Sequence, residues 1–113
     1  MIKIVLDNSE KSSGGDSIRR FVVFDGERRC GSCEFELCPP QVRLISAECE
    51  ESALLDGLLR QTLSYSLDCG CPTAVFDDTV AEALYSLRIL KDADAREFDI
   101  LDFFAKLNGC EKF

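Results

Sequence analysis

Residues 42–76 restrict the fold of this chain more than any other stretch. "QVRLISAE" reads as a strand centred on Val42–Ala47, and "PTAVFDD" as a short buried strand. Between them lies one long helix, about Ser52 to Asp68, which Gly70 stops. On a helical wheel Leu54, Leu55, Leu58, Leu59, Thr62, Leu63, Tyr65, Ser66 and Leu67 fall on one broad side, opposite Gly57, Arg60, Gln61, Ser64 and Asp68. An apolar arc that wide predicts a helix covered on more than one side. A strand, a helix and a strand of these lengths form a right-handed crossover with parallel strands.

The flanking segments build out that unit. Met1–Leu6 is apolar and β-branched and reads as a first strand, followed by the polar, Gly/Ser-rich connection "NSEKSSGGDS". "IRRFVVFDGERRCGSCEFEL" reads as a hairpin: Ile18–Phe24 out, Asp25-Gly26 at the turn, Arg28–Leu37 back. Pro39-Pro40 ends the returning strand, because neither can donate to a ladder. After the crossover, Asp78-Thr79 opens a second helix, with Thr79 and Glu82 spaced as a capping box and Val80, Ala83, Leu84, Leu87 and Leu90 as its buried stripe. "AREFDI" is a final strand and "LDFFAKLNGC" a short apolar helix. The expected architecture is α+β: one domain over 1–113, with a mixed sheet and helices packed on it.

Charge and composition exclude several roles. The net charge of −8 repels phosphate backbones, so no nucleic-acid partner is expected. No stretch approaches the roughly 20 apolar residues that span a bilayer. The N-terminus turns polar after six residues, too soon for a signal peptide, and a cytoplasmic location without membrane contact is expected. Histidine is absent, which removes His-based nucleophile pairs and His-ligated metals.

Seven cysteines are many for 113 residues. In a reducing compartment a disulfide framework is not expected. Cys30 and Cys33 on a regular strand point to opposite faces and cannot chelate together unless a bulge at Gly31 intervenes. Cys69 and Cys71 flank the helix-stopping Gly70. The cysteines are therefore read as small buried hydrophobes, and no metal site is expected.

From Ile18 to Ile100 the order of elements resembles the GNAT superfamily of N-acetyltransferases. "FVVFDGERRCGSCEFEL" is similar to that family's central hairpin, "VRLISAE" to the strand that carries acetyl-CoA, and "LLDGLLRQTLSYSLDCG" to the helix behind it. "VAEALYSLRI" resembles the closing helix, whose catalytic tyrosine precedes a Leu-Gly-Phe ending; "FFAKLNGC" is the other placement of that pattern. The resemblance implies acetyl-CoA as cofactor, held by Ile45, Ser46 and Ala47 and by the amides of Ser52, Ala53 and Leu54. It implies Tyr85 as catalytic acid, although Leu84 takes that position by strict count, and Glu48 as base, with Glu34 and Glu36 as further candidates.

Two departures argue against activity. The family's pyrophosphate signature places Gln or Arg, two residues, Gly, one residue, then Gly or Ala at the junction before the helix. Here the matching run is Glu50 to Leu55, with an acid first and a bulky leucine last. A carboxylate ~4–6 Å from a phosphate costs about 3–4 kcal/mol at an effective dielectric near 20, whereas an exposed helix dipole returns about 0.3–1 kcal/mol. The plain role for Glu48, Glu50 and Glu51 is to supply first-turn acids that complement the helix N-terminus. Second, the family inserts two helices between its first and second strands, and "DNSEKSSGGDS" is too short for them. The reading is thus a GNAT-like domain that has lost acetyltransferase activity, needs no cofactor and serves as an interaction or regulatory module. The alternative is an acyl-CoA-dependent N-acetyltransferase or acyl-CoA binder with an atypical phosphate loop. The apolar run Phe98, Ile100, Leu101, Phe103 and Phe104 is expected to seal the core, with a homodimer or protein-partner contact as its other use.

Overall fold

The computed structural model describes residues 2–7 and 18–109. In chain order these form β1 (Ile2–Asp7), β2 (Ile18–Asp25), β3 (Arg28–Cys38), β4 (Gln41–Cys49), α1 (Ser52–Asp68), β5 (Thr73–Phe76), α2 (Asp78–Ser86), β6 (Glu97–Asp99) and α3 (Ile100–Gly109). The Gly/Ser-rich connection after β1 lies outside the described residues. The six strands make one sheet in the order β1-β2-β3-β4-β5-β6. Every neighbouring pair is antiparallel except β4 and β5, which run parallel on either side of α1. The architecture is the α+β mixed sheet expected, with the crossover in its middle.

Local chemistry sets the turns. Asp25 pairs with Arg28, so the β2–β3 turn is Gly26 and Glu27, with Gly26 at φ +68°, the positive value a tight hairpin requires. Cys38 pairs with Gln41, leaving Pro39-Pro40, joined by a cis peptide bond, as the β3–β4 turn. At the end of α1, Gly70 takes φ +90°, and the amides of Gly70 and Cys71 bond back to the Leu67 and Ser66 carbonyls at 3.1 and 2.9 Å. This is the left-handed stop that glycine makes easy.

The core lies between α1 and the sheet. Leu58, Leu59 and Leu63 of α1 are fully buried with Val23, Phe35, Val42 and Leu44. Each contributes on the order of 1.5–3 kcal/mol of burial. Phe21 stacks on Phe35 at 5.7 Å, and Tyr65 meets both rings edge-on at 5.4 and 5.9 Å. Thr62 and Ser66 are buried too, and their hydroxyls donate to the carbonyls of Leu58 and Thr62 at 2.9 and 2.8 Å. That pairing removes the cost of burying a hydroxyl. Cys30, Cys33 and Cys71 join the same cluster as small apolar side chains.

Two local expectations are corrected. The capping box at Thr79 and Glu82 does not form. Asp77 caps α2 instead, its carboxylate accepting from the amides of Thr79 and Val80 at 3.1 and 3.3 Å. Asp77 leaves β5 one residue before the helix with extended backbone, so its short side chain reaches the open amides first. The helix is also shorter than its apolar stripe: it ends at Ser86, and Leu90 is buried from the following loop. There Arg88 takes φ +65°, while the amides of Ile89 and Leu90 both reach the Leu84 carbonyl, at 2.9 and 3.1 Å.

The C-terminal run closes the sheet end. Ile100 is fully buried and its amide donates to the Pro72 carbonyl at 2.8 Å. Phe98 contacts Phe76 and Phe103, Phe103 contacts Phe104, and the Arg60 guanidinium lies over the Phe103 ring at 5.4 Å.

Candidate functional site

The site begins where β4 and β5 part. β5 pairs only with Gln41–Leu44, whereas β4 runs on to Cys49. At the point of divergence the β3–β4 register shifts: Glu34 pairs with Ser46 but Phe35 with Leu44, so Ile45 is the extra residue of a bulge. A bulge bends and twists its strand. Ile45–Cys49 therefore keep β3 on one side, while the β5 ladder has ended on the other. The result is an open strand edge carrying Ile45, Ser46 and Ala47, all half-buried, beside the start of α1.

That helix start is not closed by a side chain. Glu51 is its N-cap in extended geometry (φ −122°, ψ 138°) and makes no side-chain cap, and the first helical bond runs from the Leu55 amide to the Glu51 carbonyl at 3.0 Å. The amides of Ser52, Ala53 and Leu54 precede that bond, with Ser52 and Ala53 exposed. The expected first-turn acids are a correction: α1 starts at Ser52, so Glu48, Glu50 and Glu51 all lie before it and its first turn holds no acid. Glu50 is drawn to Arg28, whose guanidinium is held above its ordinary value first by that hydrogen bond and then by the charge of Glu50. Leu55 is half-buried and packs against the core. The first amides of α1 are thus uncapped by any side chain, while Glu48 and Glu51, which precede the helix, are exposed.

Gly31 allows β3 and β4 to approach at this end. A Cβ there would lie 2.5 Å from the Glu48 carbonyl oxygen and 2.7 Å from Cys49 Cα, so no other residue fits. The bulge next to it falls on β3 at Cys30, since Val23 pairs with Gly31 and Phe24 with Arg29. It leaves both Cys30 and Cys33 buried, although a regular strand would separate them. Among the described residues no group of three or more Cys, Asp or Glu is arranged to hold a metal ion.

The two candidate catalytic residues occupy different places. Glu48 lines a depression of about 330 Å³ with Arg29, Cys30, Gly31, Ser32, Cys49 and Glu50. Tyr85 is 50% exposed on α2 and lines another, of about 600 Å³, with Ser86, Arg88, Leu90 and Lys91. The neighbouring Leu84 is fully buried. The sequence reading missed the Arg28–Glu50 pair, which depends on the register that bonds the Glu50 amide to the Cys30 carbonyl at 3.1 Å. Opposite charges, one opening β3 and one just past the end of β4, were the only signal available.

No family model matches the sequence, and no curated protein matches it. Solved structures do match in fold. A probable acetyltransferase from Staphylococcus epidermidis ATCC 12228 superposes with a TM-score of 0.56 at 11% identity, over 67% of this chain and 54% of that one. An N-acetyltransferase, PaiA, from Thermoplasma acidophilum, solved in complex with coenzyme A, gives 0.55 at 12% identity, over 64% and 50%. The ribosomal-protein-S18-alanine N-acetyltransferase from Escherichia coli gives 0.60 at 13% identity, over 76% and 75%. This chain thus spans about half the length of the first two. Its fold is GNAT-like, with only residues 8–17 between β1 and β2.

Proposed function

We propose that this GNAT-like fold works as an interaction or regulatory module and does not transfer acetyl groups. The observation that carries the reading is that Tyr85 and Glu48 line different depressions. Acyl transfer needs an acid and a base within hydrogen-bond reach of one reacting centre. Here the two candidates line different depressions, and the side chains at the open β4 edge, Ile45, Ser46 and Ala47, do not titrate. The short link between β1 and β2 supports the same reading, because it leaves no room for two helices beside the sheet.

A second reading, retained acyl-CoA binding, draws on the uncapped amides of Ser52, Ala53 and Leu54 and on the diversion of Glu50 to Arg28. The relative from Thermoplasma acidophilum in complex with coenzyme A adds to it. One titration separates the two. With acetyl-CoA raised to millimolar concentration beside a panel of primary-amine acceptors, peptide α-amines and polyamines among them, the melting temperature is expected to stay fixed and no free coenzyme A thiol to appear with any acceptor. A binder at 100 times its dissociation constant would gain about 2.7 kcal/mol, a rise of roughly 10 °C. A rise without thiol release would establish binding alone, and a rise with release would overturn the proposal.

A further inference from the structure

Helices α1 and α2 end with the same pair of backbone bonds. At α1 the Gly70 and Cys71 amides donate to the Leu67 and Ser66 carbonyls, and at α2 the Arg88 and Ile89 amides donate to the Tyr85 and Leu84 carbonyls. The residue after each C-cap is left-handed: Gly70 at φ +90°, Arg88 at φ +65°. Glycine takes that conformation freely, whereas a residue with a Cβ is strained in it. The chain thus holds an arginine at a position it fills elsewhere with glycine. No ion pair accounts for the choice. Arg20, Arg28, Arg43, Arg60 and Arg96 each pair with a carboxylate, but among the described residues neither Arg88 nor Lys91 does. Both are exposed, in a chain where acids outnumber bases 21 to 13. The acid next in the chain, Asp92, lines a neighbouring depression that Lys91 also borders, and its carboxylate accepts from the Asp94 amide at 3.0 Å.

We propose that the depression of about 600 Å³ at the end of α2 binds a small organic carboxylate with an apolar body. Arg88 and Lys91 supply the charge for the carboxylate, and the half-exposed Tyr85 ring and Leu90 supply a wall for the body. The volume suits a small molecule. The backbone favours a carboxylate over a phosphate. Phosphate sites draw on free amides at a helix N-terminus. This is a helix C-terminus, and the amides of Arg88, Ile89 and Leu90 are all turned back to the Tyr85 and Leu84 carbonyls. Recognition therefore falls to side chains, where a planar guanidinium meets a carboxylate with two parallel bonds. The partial negative charge of the helix end also disfavours a dianion more than a monoanion. The depression shares no residue with the uncapped amides of α1, so its ligand is separate from acyl-CoA.

Titration of the intact chain with phenylacetate, followed by amide NMR, tests the site. Saturable shifts are expected at Tyr85, Arg88 and Lys91, with a dissociation constant of about 1 mM or tighter. Phenylacetamide, which lacks the charge, and acetate, which lacks the apolar body, should each bind about ten-fold more weakly or worse. Inorganic phosphate at the same concentration should not displace phenylacetate. Arg88→Gly should weaken binding about ten-fold or more while raising the melting temperature by roughly 4 °C, because it removes the left-handed strain. Its loss of binding therefore cannot be a loss of fold. Lys91→Gln should weaken binding several-fold with the melting temperature unchanged. Absence of saturable shifts in the wild type would overturn the proposal. So would shifts centred away from α2, equal binding of the amide, displacement by phosphate, or binding that survives Arg88→Gly.

Discussion

Cys33 shows how burial acts on one titratable side chain. It is fully buried in β3, and loss of hydration pushes its thiol up to about 12 from an ordinary value of 9.0. The folded state therefore keeps this proton where the unfolded chain releases it. Stability from this group is fully present below pH 9.0 and is lost as pH rises towards about 12. The slope is about 1.4 kcal/mol per pH unit. Urea unfolding at several alkaline pH values should show the decline in the wild type and a shallower one in Cys33→Ala. Equal slopes would count against a buried thiol. Burial raises the Cys71 thiol in the same direction. The alternation of Cys33, Phe35 and Leu37 with Ser32, Glu34 and Glu36 already points Cys33 to the buried face, whereas Cys71, beside Gly70, has no such pattern around it. The bulge at Cys30 and the stop at Gly70 decided their surroundings.

Elements were legible where periodicity is long and failed where a single side chain decides. α1 runs Ser52–Asp68 as its apolar arc and Gly70 predict, because seventeen residues average out local accidents. The start of α2 depends on which oxygen reaches the open amides. Thr79 and Glu82 have the spacing of a capping box, yet Asp77 holds both bonds. Asp77→Ala should therefore lower stability by about 1 kcal/mol, while Thr79→Ala should change it by less than about 0.5 kcal/mol. Chemical denaturation of the two variants decides it, and the opposite ranking would return the cap to Thr79.

At the scale of the molecule, one cluster joins hairpin, crossover and helix. Phe35 is fully buried in β3, stacks on Phe21 of β2 and meets Tyr65 of α1. Truncation to alanine removes ring contacts to a neighbouring strand and a helix at once, so Phe35→Ala should cost about 3–5 kcal/mol. For a domain whose total stability is of the order of 5–15 kcal/mol, that is a large share. The denaturation midpoint should fall with the slope unchanged and the transition still single. A two-step transition would mean that the hairpin and the crossover unfold separately.

The sequence alone determined the element order, the parallel crossover between β4 and β5, the bounds of α1 and the apolar core. Each follows from the repeat of apolar side chains along the chain and from glycine and proline at its turns. It also carried the GNAT-like resemblance that the sheet bears out. Only the tertiary structure decided that Glu50 turns to Arg28, that Leu55 packs inward, and that Tyr85 and Glu48 line separate depressions. Those outcomes depend on register and on a one-residue bulge at Ile45, and strand pairing across tens of residues leaves no local mark on the residues it brings together.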